Sequence, residues 1–137
     1  MFLTITKIRV RYAETDRMGY VYYGNYATYF EVARVEALRA LGISYKSLED
    51  EGVILPVVEY AIKYFKPAYY DDDLEIRTTI THMPAARIRF EYETVRGDDV
   101  LNKAFTELVF VETSSGRPMR CPADVESALR IHFGNDN

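Results

Sequence analysis

One stretch of this 137-residue chain carries a long helical period, and it stands among segments that alternate. Tyr26, Phe30, Ala33, Ala37 and Leu41 recur at spacings of three and four, the period of a helix with one buried face. Asn25 stands where an N-cap belongs and Gly42 where a helix stops. One helix among alternating segments points to a sheet that packs on it.

Ile8, Val10 and Tyr12 alternate with Lys7, Arg9 and Arg11, so the chain opens on a half-buried strand that runs into a polar loop around Asp16 and Gly19. Residues 44–52 read as a short helical turn capped by Ser44. Residues 53–66 read as an apolar and aromatic strand in which Pro56 marks a bulge or an edge. Leu74, Ile76, Thr78 and Ile80 alternate with charged or polar neighbours, as do Ile88, Phe90 and Tyr92. Residues 100–111 are apolar on both faces in their second half, which predicts burial on both sides near the middle of the sheet. The connections at residues 67–73, 83–85, 96–99 and 114–118 are short or turn-rich and favour antiparallel neighbours. Residues 122–133 read as a short helix with Val125 and Leu129 on one face, and residues 134–137 as a frayed end. The expectation is an α+β fold, one domain over residues 1–137, with five or six antiparallel strands around one long helix.

Charge and composition narrow the function. A net charge of −4 argues against nucleic acid as partner. The N-terminus carries charge within its first ten residues and no apolar run is long enough to span a membrane, so no signal peptide is read and a cytoplasmic protein is expected. Cys121 is the one cysteine, which excludes an intrachain disulfide; beside Arg120 it reads as a structural or incidental thiol. His82 and His132 lack the spacing of a metal site or of a Ser-His-Asp set. Asp71, Asp72 and Asp73 lack a calcium loop's spacing and read as a turn into a strand. Glu31 on the helix reads as a solvent-facing partner of Arg34. Twelve tyrosines and a sheet with open edges point to a homodimer, with a homotetramer as the next possibility.

Asp16, just ahead of the helix, is the residue with chemistry to offer. A carboxylate facing a helix N-terminus suits reaction at a carbonyl, since the helix end stabilises negative charge developing on oxygen. The run D-x-x-G-x-V-x-x-x-N-Y, filled by Asp16, Gly19, Val21, Asn25 and Tyr26, resembles the signature of the 4-hydroxybenzoyl-CoA thioesterase family of hotdog-fold acyl-CoA thioesterases. The flanking RYAETD and YFEVAR, and the later FKPAYYDDDLEI, are similar to that family too, so the resemblance spans about residues 8–122.

The resemblance implies a hotdog domain that pairs into a dimer with a continuous sheet, and hydrolysis of an acyl-CoA to a free acid and CoA at the subunit interface. It makes Asp16 the nucleophile or general base, Tyr23 the backbone N–H donor to the oxyanion, and Gly19 the residue that turns the loop and admits the thioester. Val21, Asn25 and Tyr26 fall to the substrate side and the helix start, and Arg87, Arg89 and Arg117 to the phosphates of CoA. No metal and no separate cofactor are implied, CoA being part of the substrate. At position 23 the chain departs from one branch: thioesterases associated with the bacterial Tol-Pal system carry V-Y-H-x-N-Y, where this chain has Val21, Tyr22, Tyr23, Gly24, Asn25 and Tyr26. An acyl carrier protein in place of CoA, or acyl-CoA binding without catalysis, are the alternatives. A hotdog dehydratase, which relies on a histidine, fits least.

Overall fold

The computed structural model describes residues 1–134; of the frayed end expected at residues 134–137, Gly134 is the C-cap of the last helix and residues 135–137 lie outside the described residues. In chain order the elements are β1 (Phe2–Arg9), α1 (Asn25–Ala40), α2 (Tyr45–Asp50), β2 (Val53–Ile54), β3 (Val57–Tyr64), β4 (Asp73–Ile80), β5 (Arg87–Arg96), β6 (Asp99–Val109), β7 (Val111–Glu112), β8 (Arg117–Pro118) and α3 (Ala123–Phe133). Five strands form one antiparallel sheet in the order β1-β4-β5-β6-β3, and β2, β7 and β8 form a small second ladder. The α+β architecture expected from the sequence is the one observed. None of the helices among the described residues is long and apolar enough to cross a membrane.

The sheet exists to cover α1. Tyr26, Phe30, Ala33 and Ala37 are buried as their spacing requires, and Tyr29, Arg34 and Leu38 widen the buried stripe. Opposite them, β4 buries Leu74, Ile76, Thr78 and Ile80, and β5 buries Ile88, Phe90, Tyr92 and Thr94, the alternation of strands with one face on a core. At the centre, Phe30 stacks on Tyr92 with ring centroids 4.5 Å apart. Ser44 caps α2 by accepting the Ser47 N–H at 3.0 Å. The three aspartates form the turn into β4: Asp71 holds a left-handed φ of 67°, Asp72 accepts the Tyr69 N–H, and Asp73 opens the strand.

Several expectations are corrected. The first strand begins at Phe2 and ends at Arg9; Tyr12 lies in a 3-10 turn beyond it and stacks in solvent on Tyr70, centroids 3.6 Å apart. Asn25 is not the N-cap of α1. Gly24 holds that position, and the Asn25 amide is engaged elsewhere. Pro56 splits residues 53–66 into β2 and β3. In the second half of β6, Thr106 and Leu108 are buried, while Phe105, Glu107 and Val109 on the other face stay half-exposed because no layer covers that face. Arg34 forms no ion pair with Glu31; it turns into the core, where its Nε donates to the Tyr45 hydroxyl at 3.2 Å.

Phe30 has no exposed surface and sits where helix and sheet meet. Phe30→Ala should therefore destabilise the fold by about 3–5 kcal/mol, the cost of emptying a fully packed aromatic site. The midpoint of urea unfolding measures it, and a shift within error of wild type would show that the helix–sheet contact is not the centre of the core.

Candidate active site

The loop between β1 and α1 is built to present a carboxylate. The Oδ1 of Asp16 accepts the Met18 N–H at 2.8 Å, its carbonyl accepts the Gly19 N–H at 3.0 Å, and its own N–H donates to the Tyr20 carbonyl at 2.9 Å. Gly19 lies at φ +87°, in the left-handed region, so the turn itself calls for glycine. A Cβ there would meet nothing within 4 Å, which rules out crowding within the chain as the reason for it. Oδ2 of Asp16 accepts no hydrogen bond among the described residues.

Glu14 ties this loop to the helix. Its backbone carbonyl accepts both the Tyr22 N–H at 2.9 Å and the Asn25 side-chain amide at 2.8 Å. Its carboxylate accepts from the Arg11 N–H, from the Arg11 guanidinium at 2.7 and 3.1 Å, and from the Tyr29 hydroxyl at 2.9 Å. Burial works to raise the Glu14 carboxyl, but these hydrogen bonds outweigh it and hold its pKa below the ordinary value. The clamp fixes where α1 begins relative to Asp16. Glu14 lies in the RYAETD run, yet nothing local marks it as a clamp, because its partner Tyr29 is fifteen residues away.

At the helix start the chain turns tightly: the Asn25 N–H donates to the Tyr22 carbonyl at 2.9 Å and the Tyr26 N–H to the Tyr23 carbonyl at 3.3 Å. The N–H groups of Tyr23 and Gly24 are left without a backbone acceptor among the described residues. A cavity of about 370 Å³ opens here, within the range of small-molecule sites. Asp16, Val21, Tyr23 and Tyr26 form one side of it. Tyr64, Phe65, Lys66 and Pro67, at the end of β3 and just beyond, form the other. Tyr26 meets Tyr64 edge-on at 5.8 Å, and burial, then Tyr64, pushes its phenol up to about 12. The single cation in the lining, Lys66, is paired to Asp99 at 2.9 Å.

Of the residues singled out from the sequence, Asp16, Val21, Tyr23 and Tyr26 come together around this cavity, while Gly19 and Asn25 shape the loop behind it. Arg87, Arg89 and Arg117 do not line it. Arg87 and Arg89 lie on the exposed face of β5, the first 3.7 Å from Glu107 and the second over the Phe105 ring at 3.8 Å. Arg117 lines a separate groove with Glu112 and Ser115. Burial, helped by Glu126, pushes the Cys121 thiol up to about 11 despite Arg120, so this buried sulfur is an inert packing group. The far wall escaped sequence reading because it is assembled by distant pairing: Tyr20 bridges to Tyr69, and the Val21 N–H donates to the Ala68 carbonyl at 2.9 Å.

The profile of the thioesterase-like superfamily matches residues 10–129. The acyl-CoA thioester hydrolase YbgC of Escherichia coli is 34% identical over 124 residues, 90% of this chain and 92% of its own. The DHNA-CoA thioesterase of Staphylococcus aureus superposes with a TM-score of 0.84 at 34% identity, over 97% of this chain and 85% of that one. A 4-hydroxybenzoyl CoA thioesterase mutant complexed with 4-hydroxybenzoyl CoA shares the fold, with a TM-score of 0.85 at 21% identity over 93% of this chain and 99% of that one.

The Glu14 clamp has a pH signature. Its folded pKa lies below the ordinary 4.5, so its contribution to stability is complete above that value and is lost as pH falls through the folded pKa. Glu14→Gln should lower the unfolding midpoint at pH 7, and its difference from wild type should shrink as the pH drops below 4.5. Urea unfolding of both proteins across that range checks the sign; a gap that widens in acid would contradict the clamp.

Proposed function

Because this chain belongs to the thioesterase-like superfamily and is a thioester hydrolase with an acyl-CoA as substrate, we propose that Asp16 drives the cleavage and that the helix start holds the oxyanion. The observation that carries this reading is the meeting, in one largely aromatic cavity, of a carboxylate with a disengaged oxygen and a residue whose backbone N–H lacks an acceptor. The thioester carbonyl carbon lies between them. Its oxygen accepts from the Tyr23 N–H, where the dipole of α1 adds to the stabilisation of the developing charge. Asp16 either attacks the carbon itself, giving an acyl anhydride that water then opens, or takes a proton from the attacking water. In both routes the C–S bond breaks, the CoA thiolate leaves and is protonated, and the acid is released.

The supporting parts extend the same reading. Val21 and Tyr26 give the acyl group an apolar wall, and Asn25 and Gly19 hold the loop that aims Asp16. Arg87, Arg89 and Arg117 are assigned to the phosphates at the far end of CoA, for which guanidinium forks are suited. The hotdog protomer is completed by a second copy. β3 is an edge strand none of whose residues is buried, Val57, Val58, Tyr60 and Tyr64 among them, and an apolar edge of that kind is a template for pairing with a second chain. A homodimer through β3 is the reading, with a homotetramer as the further step.

Asp16→Asn should reduce kcat by roughly a hundred-fold or more, the worth of a positioned acid–base group, in a free-thiol assay over short, medium, long and aromatic acyl-CoAs. A variant as fast as wild type would sink the assignment of Asp16. Light scattering on the purified protein should give at least twice the chain mass; a monomer that retains full activity would remove the dimer from the mechanism.

A further inference from the structure

The turn that carries Asp16 is one side of a small ladder. Thr15 bridges to Val21, and the Asp16 N–H donates to the Tyr20 carbonyl at 2.9 Å, so residues 15–16 and 20–21 run side by side. On their other side, residues 20 and 21 meet the chain just beyond the cavity's far wall: Tyr20 bridges to Tyr69, and the Val21 N–H donates to the Ala68 carbonyl at 2.9 Å. The placement of residues 68 and 69 therefore sets the placement of Asp16.

Arg96, the last residue of β5, holds that strip. Its Nη1 donates to the Pro67 carbonyl at 3.1 Å and to the Asp72 carboxylate at 2.8 Å. The same Asp72 oxygen accepts the Tyr69 N–H at 2.8 Å, so one guanidinium and one carboxylate grip residues 67–69 at both ends. The Arg96 and Asp72 side chains are 29% and 23% exposed. Arg9, by contrast, meets Asp71 and Asp73 on the same turn at 3.6 and 3.9 Å, and all three of those side chains are more than half exposed. Water loosens an exposed pair until it holds little, whereas a half-buried, charge-assisted pair keeps its geometry. Neither Arg96 nor Asp72 is part of the cavity lining.

We propose that Arg96 is a positioning residue for the hydrolysis: by fixing residues 67–69 through Asp72 and the Pro67 carbonyl, it aims the Asp16 carboxylate from outside the cavity. A small slackening of the strip is enough, because a misplacement of about 1 Å at a reacting group costs on the order of a hundred-fold in rate. Glu14 holds the loop at its start, onto the helix, and Arg96 holds it at its end, onto the sheet. This inference rests on the Asp16 reading of the cavity.

The test is kcat and KM, on the acyl-CoA that wild type hydrolyses fastest, for Arg96→Met, Arg9→Met, Asp72→Asn, Asp16→Asn and the double variant Arg96→Met with Asp16→Asn. Each is assayed at a temperature where circular dichroism shows it folded. Arg96→Met keeps the stem and removes the donors; it should lower kcat by about ten-fold or more with KM within about three-fold. Arg9→Met, which breaks the exposed pairs of the same turn, should stay within about two-fold of wild type. The decisive comparison is in the Asp16→Asn background, where no carboxylate is left to aim: there Arg96→Met should cost less than about two-fold. Equal losses in the two backgrounds, or an unchanged kcat with a lower melting temperature, would make Arg96 a structural residue only and overturn the proposal. If Arg96→Met does not fold, Asp72→Asn takes its place in both backgrounds and is judged in the same way, since it keeps an acceptor for the Tyr69 N–H and loses the charge that holds Arg96. Asp16→Asn separates the two readings. Wild-type rates in that variant mean that the carboxylate itself is misassigned, whereas a hundred-fold loss there beside an unaffected Arg96→Met removes Arg96 alone.

Discussion

The burial of one face of α1 is the constraint from which the rest of this molecule follows. A sixteen-residue helix with a single apolar stripe has little stability of its own, and here β1 and β4 supply the surface it needs, with Tyr92 of β5 stacked on Phe30. Ala33 and Ala37 are fully buried and small, so the helix can lie close to the sheet, and Phe30 fills the centre against Tyr92. Because the helix axis is fixed in this way, the position of its first turn is fixed too. The chemistry proposed for the protein is attached to that turn.

The loop that carries Asp16 has few apolar contacts to hold it, and it is held by hydrogen bonds instead. Glu14 gathers Arg11, Tyr22, Asn25 and Tyr29 onto one carboxylate and one carbonyl, joining the residues before the loop, the residues after it and the helix. Charge-assisted hydrogen bonds are directional, and a partly buried carboxylate kept ionised by its neighbours is a rigid anchor. Asp16 spends one oxygen on its own turn and keeps the other. Rigidity comes from Glu14, and the reactive role is the one proposed for Asp16: two carboxylates two residues apart, in surroundings that differ.

What was legible in the sequence is what depends on neighbours along the chain. The helical stripe from Tyr26 to Leu41, the alternation in β4 and β5, the Ser44 cap and the turn around Asp16 and Gly19 all express local periodicity or local turn chemistry. The misreadings lie where a distant partner decides. Arg34 looks like a surface residue beside Glu31 until Tyr45 offers it a hydroxyl in the core. Asn25 has the side chain of a cap, but the Glu14 carbonyl, eleven residues back, takes its amide. Residues 105–109 look buried on both faces because apolar residues are dense there, although only one face of β6 has a helix over it. The wall formed by Tyr64, Phe65, Lys66 and Pro67 depends on the β3–β6 register, which no local pattern encodes.

The same wall links assembly to chemistry. Phe65 and Tyr23 are each about half-exposed or more, so within one chain the cavity beside Asp16 is open along a strip that runs onto the β3 edge. An open site leaves the Tyr23 N–H, the proposed oxyanion donor, and the Asp16 carboxylate in water, where a hydrogen bond to a developing charge is worth far less than in a water-excluded pocket. A second copy laid along β3 would cover the apolar edge and close the strip in a single step. In that arrangement the unpaired edge is more than a hazard of the sheet: it is the means by which two open clefts become two dry active sites, so loss of the interface should act on turnover as well as on stability.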